Sequence, residues 1–431
     1  MKTFGAFSQS ELVHMVGAVR AEQPTEESAC EVFARAAWSG IVEPGDRVAG
    51  MLWSALGHHQ SLECLISDET PQRMAARVAE RLGSDSGEGH ETLAEVIAEA
   101  FSRWRPRLSA SEASGHLERA ARLGVSFTIP GDEHWPAQLD DLGAHRPAGL
   151  WFRGSSAALG ATRRSVSVVG ARASTGYGEH VTMEIVAGLC DRGFAVVSGA
   201  AYGIDGMAHR AALASEGTTV AVLAGGVDRL YPSGHDTLLK RIIDVGIVVS
   251  ELPCGWAPTR WRFLQRNRLI AALGQATAVM EAGWRSGSLN TAHHALALER
   301  PVGAVPGPVT SASSAGCHRL LRETPAVCVT SAEEVAQLVA SLLGTGATNP
   351  TNPSSSKHPA EPSLEDIHPF AVRVVDALSE RSARTPEKIA RDSGLSVEQT
   401  TAILGLLNMS DLVSERATGW VRKTVAQSPS S

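Results

Sequence analysis

Between Arg260 and Arg268 the chain reads Arg-Trp-Arg-Phe-Leu-Gln-Arg-Asn-Arg, four arginines interleaved with two aromatic rings. A guanidinium grips a phosphate through two parallel N–H donors, and an exposed ring offers a face on which an unpaired base stacks. Together they are what a single-strand binder requires. If the segment is helical from Phe263 onward, as Leu269 to Leu273 suggests, its arginines cannot all face one ligand. Arg266 and Arg268 would then in part brace the surrounding loops.

Three other short segments carry anion-binding chemistry. Gly170-Ala171-Arg172 opens a glycine-bearing stretch that runs to Gly178. Glycines let a backbone approach a phosphate closely, and the following helix start adds free N–H groups. The spacing is not GxGxxG, and no acidic residue closes the second strand to hold a ribose, so a dinucleotide cofactor is poorly supported. Arg172 instead places a guanidinium in the turn. Ser198-Gly199 supplies a hydroxyl and an amide, both able to donate to a phosphate oxygen. Asp205 is placed to cap the helix that carries His209; four residues apart, the two read as a structural hydrogen-bonded pair rather than a catalytic dyad. Ser286-Gly287-Ser288 opens a helix and forms a second anion-binding N-terminus, and Pro306-Gly307-Pro308 closes the last strand.

Such loops need a frame. Apolar runs at Ser165–Val169, Ala195–Ser198, Thr219–Leu223, Gly246–Ser250, Ala276–Met280 and Pro301–Val305 alternate with helical stretches. Alternation of this kind predicts a doubly wound parallel α/β sheet whose strand-end loops build the binding crevice. A lead-in segment, with short runs at Val125–Ile129 and Gly149–Gly154, precedes it. Upstream, Glu27–Trp38 and Glu91–Trp104 have helical spacing, and Asp46 after Pro44-Gly45 is a predicted N-cap for a helix from Arg47. The chain therefore divides into a small helical domain (1–124), an α/β domain with its lead-in (125–341), a Pro/Ser/Asn-rich flexible linker (342–366) and a compact C-terminal unit (367–431). In the last, Pro386 to Thr400 reads as helix, glycine turn and capped helix, with Leu412–Glu415 and Gly419–Arg422 as a small β-wing.

Bulk properties narrow the partners. The net charge of −7 over 431 residues argues at first against nucleic acid. It is unevenly spread, however: −8 for residues 1–162, +4 for 163–330 and −3 for 331–431. Six cysteines without a CxxC pair argue against a zinc site or a disulfide framework. No apolar run reaches the roughly 20 residues of a membrane span, and the first ten residues lack the pattern of a signal peptide. A cytoplasmic, membrane-free protein is expected.

Taken in order, Gly170-Ala171-Arg172, Ser198 to Asp205, Tyr231-Pro232, Ser250-Glu251, Phe263 to Arg268, Arg285 to Ser288 and Pro306-Gly307 resemble the DNA-processing protein DprA (Smf) family. The resemblance implies a Rossmann-like domain flanked by an N-terminal helical domain and a C-terminal winged-helix-like domain. It implies a homodimer that binds single-stranded DNA, protects incoming DNA in natural transformation and loads the RecA recombinase. By residue, it places Arg172, Ser198, Gly199, Arg260, Phe263, Ser286, Gly287 and Ser288 at the DNA, and the arginine stretch extends the set through Arg266, Asn267 and Arg268. No catalytic residue, cofactor or metal is expected. Departures from the family pattern are Ala171 for serine, Tyr202 where arginine is frequent, and His318 near an expected asparagine. Two other readings compete. One is a nucleotide or nucleoside phosphate hydrolase using Asp205, Asp228, Glu251 or Glu281; the other is a duplex-reading regulator built on the C-terminal unit. Its second helix, Ser396 to Leu406, carries Glu398 and no cation, which disfavours groove reading.

Overall fold

The computed structural model describes residues 7–82, 87–343, 368–416 and 418–423. Nearly all of the linker predicted at 342–366 lies outside them. The helical start comprises α1 (Gln9–Gly17), α2 (Glu26–Ile41), α3 (Arg47–Leu56), α4 (His58–Ile66), α5 (Pro71–Leu82), α6 (Gly87–Trp104) and α7 (Ala110–Arg122). Asp46 caps α3 as its sequence position requires, accepting from the Val48 and Ala49 amides at 3.0 and 3.3 Å. Buried Trp38 meets Trp53 and Trp104 edge-on, with centroids 5.7 and 5.2 Å apart. The buried cluster of these helices continues into the sheet, reaching Trp151, Ala221 and Val248. Gly50 is what permits one such approach, because a Cβ there would lie 1.8 Å from the Ala144 carbonyl oxygen.

The central sheet is ordered β1-β2-β6-β5-β4-β3-β7-β8-β9. Its strands are β1 (Ser126–Thr128), β2 (Leu150–Gly154), β3 (Ser165–Val169), β4 (Ala195–Ser198), β5 (Thr219–Val222), β6 (Ile247–Ser250), β7 (Ala276–Val279), β8 (Val302–Ala304) and β9 (Val327–Cys328). From β6 to β9 every pairing is parallel, whereas the lead-in strands β1 and β2 add to β6 as an antiparallel edge. Strands β3 to β8 are buried along their whole length, as parallel strands covered on both faces must be. Cover comes from α8 (Ala157–Gly160), α9 (Gly176–Asp191), α10 (Ile204–Ala214), α11 (Asp236–Val245), α12 (Arg260–Leu273), α13 (Ser288–Ala297), α14 (Ala315–Glu323) and α15 (Ala332–Leu343). The chain leaves β3 toward β4 on one side and leaves β7 toward β8 on the other. The loops after β3 and β7 therefore diverge at a topological switch point.

Residues 368–423 form α16 (Ala371–Asp376), α17 (Pro386–Ser393), α18 (Val397–Met409) and a hairpin of β10 (Val413–Arg416) with β11 (Gly419–Arg422). Thr385 caps α17 with Pro386 as its first residue, Gly394 takes the left-handed turn at φ +68°, and Ser396 and Gln399 close a capping box on α18. Val374, Ile389, Leu395, Leu404, Leu407 and Val413 give the unit its own core.

This unit docks on the rest through a buried ionic cluster. Glu43, after α2, accepts from Arg107 Nη2 at 2.6 Å and from Arg262 Nη2 and Nε at 2.7 and 3.1 Å. Arg107 Nε donates to the Arg391 carbonyl at 2.6 Å, tying the helical start to α17. Both guanidiniums lie over the Trp256 ring, 4.8 and 4.5 Å from its centroid. Burial would raise the Glu43 pKa, but Arg262 and Arg107 outweigh it and hold the carboxyl at about 2.

Candidate nucleic-acid interface

At the switch point a cavity of about 1090 Å³ opens between the loops after β3 and β7. The first loop is held by Glu281, at the end of β7, which is 3% exposed. Its carboxylate accepts from the Thr175 amide and hydroxyl at 2.9 and 2.8 Å, while its carbonyl accepts from the Ala171 amide at 2.7 Å. Gly203 seals the other side of the loop. At φ +72°, with a Cβ position 2.3 Å from the Ala171 oxygen, no other residue fits. Gly203→Ala is expected to cost about 1–3 kcal/mol, read as a lowered Tm in thermal unfolding.

So fixed, the turn leaves Arg172 exposed, its guanidinium 5.3 Å from the Phe263 ring centroid and without a carboxylate partner among the described residues. Tyr231 stands beside the same ring, 5.6 Å between centroids, and is 49% exposed. The pair forms an aromatic shelf at the cavity mouth. Across it, α12 begins at Arg260, three residues earlier than the sequence suggests, because the Thr259 hydroxyl caps it by accepting from the Arg262 amide at 3.3 Å. Arg260 is exposed and lines the cavity. Ser286, Gly287 and Ser288 bring the start of α13 to the far wall, with the two hydroxyls 2.8 Å apart.

Helix α12 divides its own arginines by face. Arg262 is spent on Glu43, and Arg268 lies away from the cavity. There it grips Glu251 through both terminal nitrogens at 2.6 Å and donates Nε to the His145 carbonyl at 3.0 Å. Arg268, expected at the DNA, is thus a brace between the sheet and the lead-in. Arg266 reaches the cavity floor but is 5% exposed, donating to the Gly199 carbonyl at 2.7 Å and to that of Val222. Burial pushes its guanidinium down to about 10, with Asp205 opposing, so it remains charged at neutral pH. Asn267 faces the cavity while donating to the Asn290 side chain at 3.2 Å.

Two more expected contacts are withdrawn from the surface. Ser198 is fully buried and donates its hydroxyl to the Val168 carbonyl at 2.7 Å. The Gly199 amide donates to Asp205 at 3.1 Å, and its carbonyl accepts from Arg266. Both shape the crevice from beneath, since the strand end they close is sealed by α10 and α12. Asp205 and His209 do not bond to each other. Asp205 holds the turn amides of Gly199 and Ala201, and His209 Nδ1 sits 2.7 Å from the Thr219 hydroxyl. Conversely, Arg285 and Tyr231 line the cavity and are exposed, although sequence reading had not put them in the site. Arg285 sits in the same Arg-Ser-Gly-Ser run that flagged the helix start, which was the available signal. Asp376, at the end of α16, also reaches the cavity and accepts from the Trp261 amide at 3.3 Å.

The carboxylates proposed for hydrolysis are each engaged by protein donors: Asp205 and Glu281 as above, Glu251 by Arg268, and Asp228 by the Gly255 amide at 2.9 and 3.0 Å. Among the described residues no group of three or more His, Cys, Asp or Glu side chains is arranged to hold a metal ion. No described helix is long and apolar enough to cross a membrane. The six cysteines are unpaired; Cys30, Cys64, Cys254 and Cys317 are buried, whereas Cys328 is exposed.

A doubly wound parallel sheet with cationic loops and helix N-termini at its switch point defines a Rossmann-like α/β protein with a cationic crevice. The chain belongs to the DNA recombination-mediator protein A (DprA, Smf) family, whose model matches residues 126–340. A putative DNA processing protein DprA of Mycobacterium tuberculosis is 44% identical over 324 residues, spanning 73% of this chain and 81% of that protein. DNA processing protein DprA of Streptococcus pneumoniae is 37% identical over 220 residues, or 51% of this chain and 76% of that one. An X-ray structure of DprA from Streptococcus pneumoniae is similar in fold, with a TM-score of 0.54 at 26% identity, covering 72% of this chain and 97% of that one.

Proposed function

We propose that this chain is a cytoplasmic recombination mediator without catalytic activity. It binds single-stranded DNA in the switch-point crevice, protects incoming strands during natural transformation and, as a homodimer, loads RecA onto them. One observation carries the DNA reading. Arg172, Arg260 and Arg285 are exposed on one cavity and form no salt bridge with a described residue, Arg260 feeling the Asp376 carboxylate through space, beside a shelf of exposed Tyr231 and half-buried Phe263. Cations that are not neutralised internally are available to phosphates, and the shelf suits unpaired bases. The family to which the chain belongs supports the mediator role. The helix pair and hairpin of residues 386–422 support a winged-helix-like assignment for the C-terminal unit.

The deciding experiment is RecA-driven strand exchange on DNA coated with single-strand binding protein, with and without this chain. Faster RecA nucleation in its presence is expected; no acceleration by a chain that does bind the strand removes the loading role. Light scattering checks the dimer. A companion prediction concerns Asp376, whose carboxylate occupies the crevice rim. Asp376→Asn keeps an acceptor for the Trp261 amide but removes a negative charge facing phosphates. Oligonucleotide affinity, measured by fluorescence anisotropy, is expected to rise a few-fold.

A further inference from the structure

A second cavity, of about 620 Å³, lies at the junction of the helical start, the sheet and the C-terminal unit. Thr259 and Asp376 line both this cavity and the crevice, so the two adjoin. Its lining holds six arginines against the carboxylates Glu112, Asp376 and Asp392, an excess of positive charge inside a chain that is negative overall.

Internal pairing does not absorb that excess. Arg384 pairs with Asp392 at 3.1 Å and Arg391 with Glu112 at 3.4 Å, while Arg107 and Arg262 share Glu43. Arg119 on α7 and Arg229 in the loop after β5 are exposed and make no side-chain hydrogen bond or ion pair with any described residue. These two cations come from different elements and line one cavity. Gly255, at φ +91°, leaves room for Arg119 at the cavity, because a Cβ there would lie 2.3 Å from Arg119 Nη1. Two unneutralised guanidiniums facing a common space form a phosphate-binding arrangement.

We propose that this junction cavity is a second phosphate subsite, which takes the backbone of the bound single strand as it leaves the crevice past Thr259. The inference rests on the crevice being a single-strand site. It gives the C-terminal unit a role as one wall of the strand's path, in which Arg384 and Arg391 stand paired with Asp392 and Glu112, rather than as a groove-reading helix.

The test uses the full chain and Arg119→Ala/Arg229→Ala, with thermal unfolding as a folding control and Arg229→Glu as a second variant. Binding is measured by fluorescence anisotropy with oligo-dT of about 6 nucleotides, within a single-site footprint, and of about 30. For the double variant, affinity for the long strand is expected to fall roughly tenfold and its salt slope by about 1.4, at about 0.7 per lost phosphate contact. Binding of the short strand should be unchanged, and Arg229→Glu should weaken the long strand alone. Wild-type behaviour with both lengths overturns the inference, as does an equal loss with both, which would merge the cavity with the crevice. Inorganic pyrophosphate separates the two sources of phosphate. If wild type binds it, the double variant does not, and long-strand binding is unaltered, the cavity is a free-anion site and the strand path is wrong. Failure of wild type to bind either oligonucleotide would instead remove the crevice reading, and this inference with it.

Discussion

Replacing Arg172 and Arg260 together by alanine is expected to weaken single-strand binding by about 100-fold or more. Each guanidinium is exposed on the crevice and forms no salt bridge with a described residue, and Asp376, which attracts Arg260 through space, is only half-buried, so removal leaves no fully buried charge behind. A charge-assisted hydrogen bond contributes roughly 1.5–3 kcal/mol, and two lost contacts account for the size of the effect. The slope of log affinity against log salt should flatten by about 1.4, since a single strand releases about 0.7 counterion per neutralised phosphate. Anisotropy titrations across a range of salt read both quantities, while Tm should hardly move. A double variant with wild-type affinity and slope would place the strand elsewhere on the molecule. The contrast with Arg268 is informative. Its alanine variant leaves Glu251 buried and unpaired, so it should show a lowered Tm before any binding defect.

The largest stability effect is expected at Glu43. Glu43→Gln leaves Arg107 and Arg262 buried without a counter-charge, and breaking such a cluster costs about 3–5 kcal/mol. Because Glu43 joins all three units, its loss should also loosen the docking of residues 368–423 and expose them to limited proteolysis. The pH dependence has a definite sign. The folded pKa of about 2 lies below that of an unfolded glutamate, about 4.3, so the carboxylate stabilises the fold fully above the latter. That contribution is lost as pH falls toward and through the folded value, and across that interval the wild type should lose more stability than the variant. Denaturant unfolding at a series of acidic pH values checks it. Parallel pH profiles for the two proteins would show that the Glu43 pKa is the same folded and unfolded, and that the two arginines do not stabilise its ionised form.

Local signals in the chain were easy to read because local physics sets them. Six of the seven parallel strands show as apolar runs of four to six residues, and each of the six falls within its predicted run; β9, two residues long and exposed, is too short to show. Asp46, Gly394 and Ser396 mark helix ends through their own backbone and side-chain chemistry. Arg172 and the start of α13 were legible for the same reason, since a turn after a strand presents its residues to the crevice whatever lies beyond. The arginine run was only half legible. Composition shows four cations, but which of them stays free depends on the start of α12, and the Thr259 cap shifts that start by three residues.

What the sequence by itself determined is the doubly wound core, the helix ends and the concentration of positive charge at strand-end loops, all of which follow from periodicity and residue type within short windows. Tertiary structure alone decided which cations remain available. Arg262 is neutralised by a glutamate 219 residues away, which depends on how the helical start packs against α12, and Arg268 by Glu251 just after β6, which depends on how α12 packs against the sheet. The same packing buries Ser198 and Gly199 as supports and brings Asp376 to the crevice from the far side of the linker. Charge neutralisation is a pairwise property of folded neighbours, and sequence distance does not encode it.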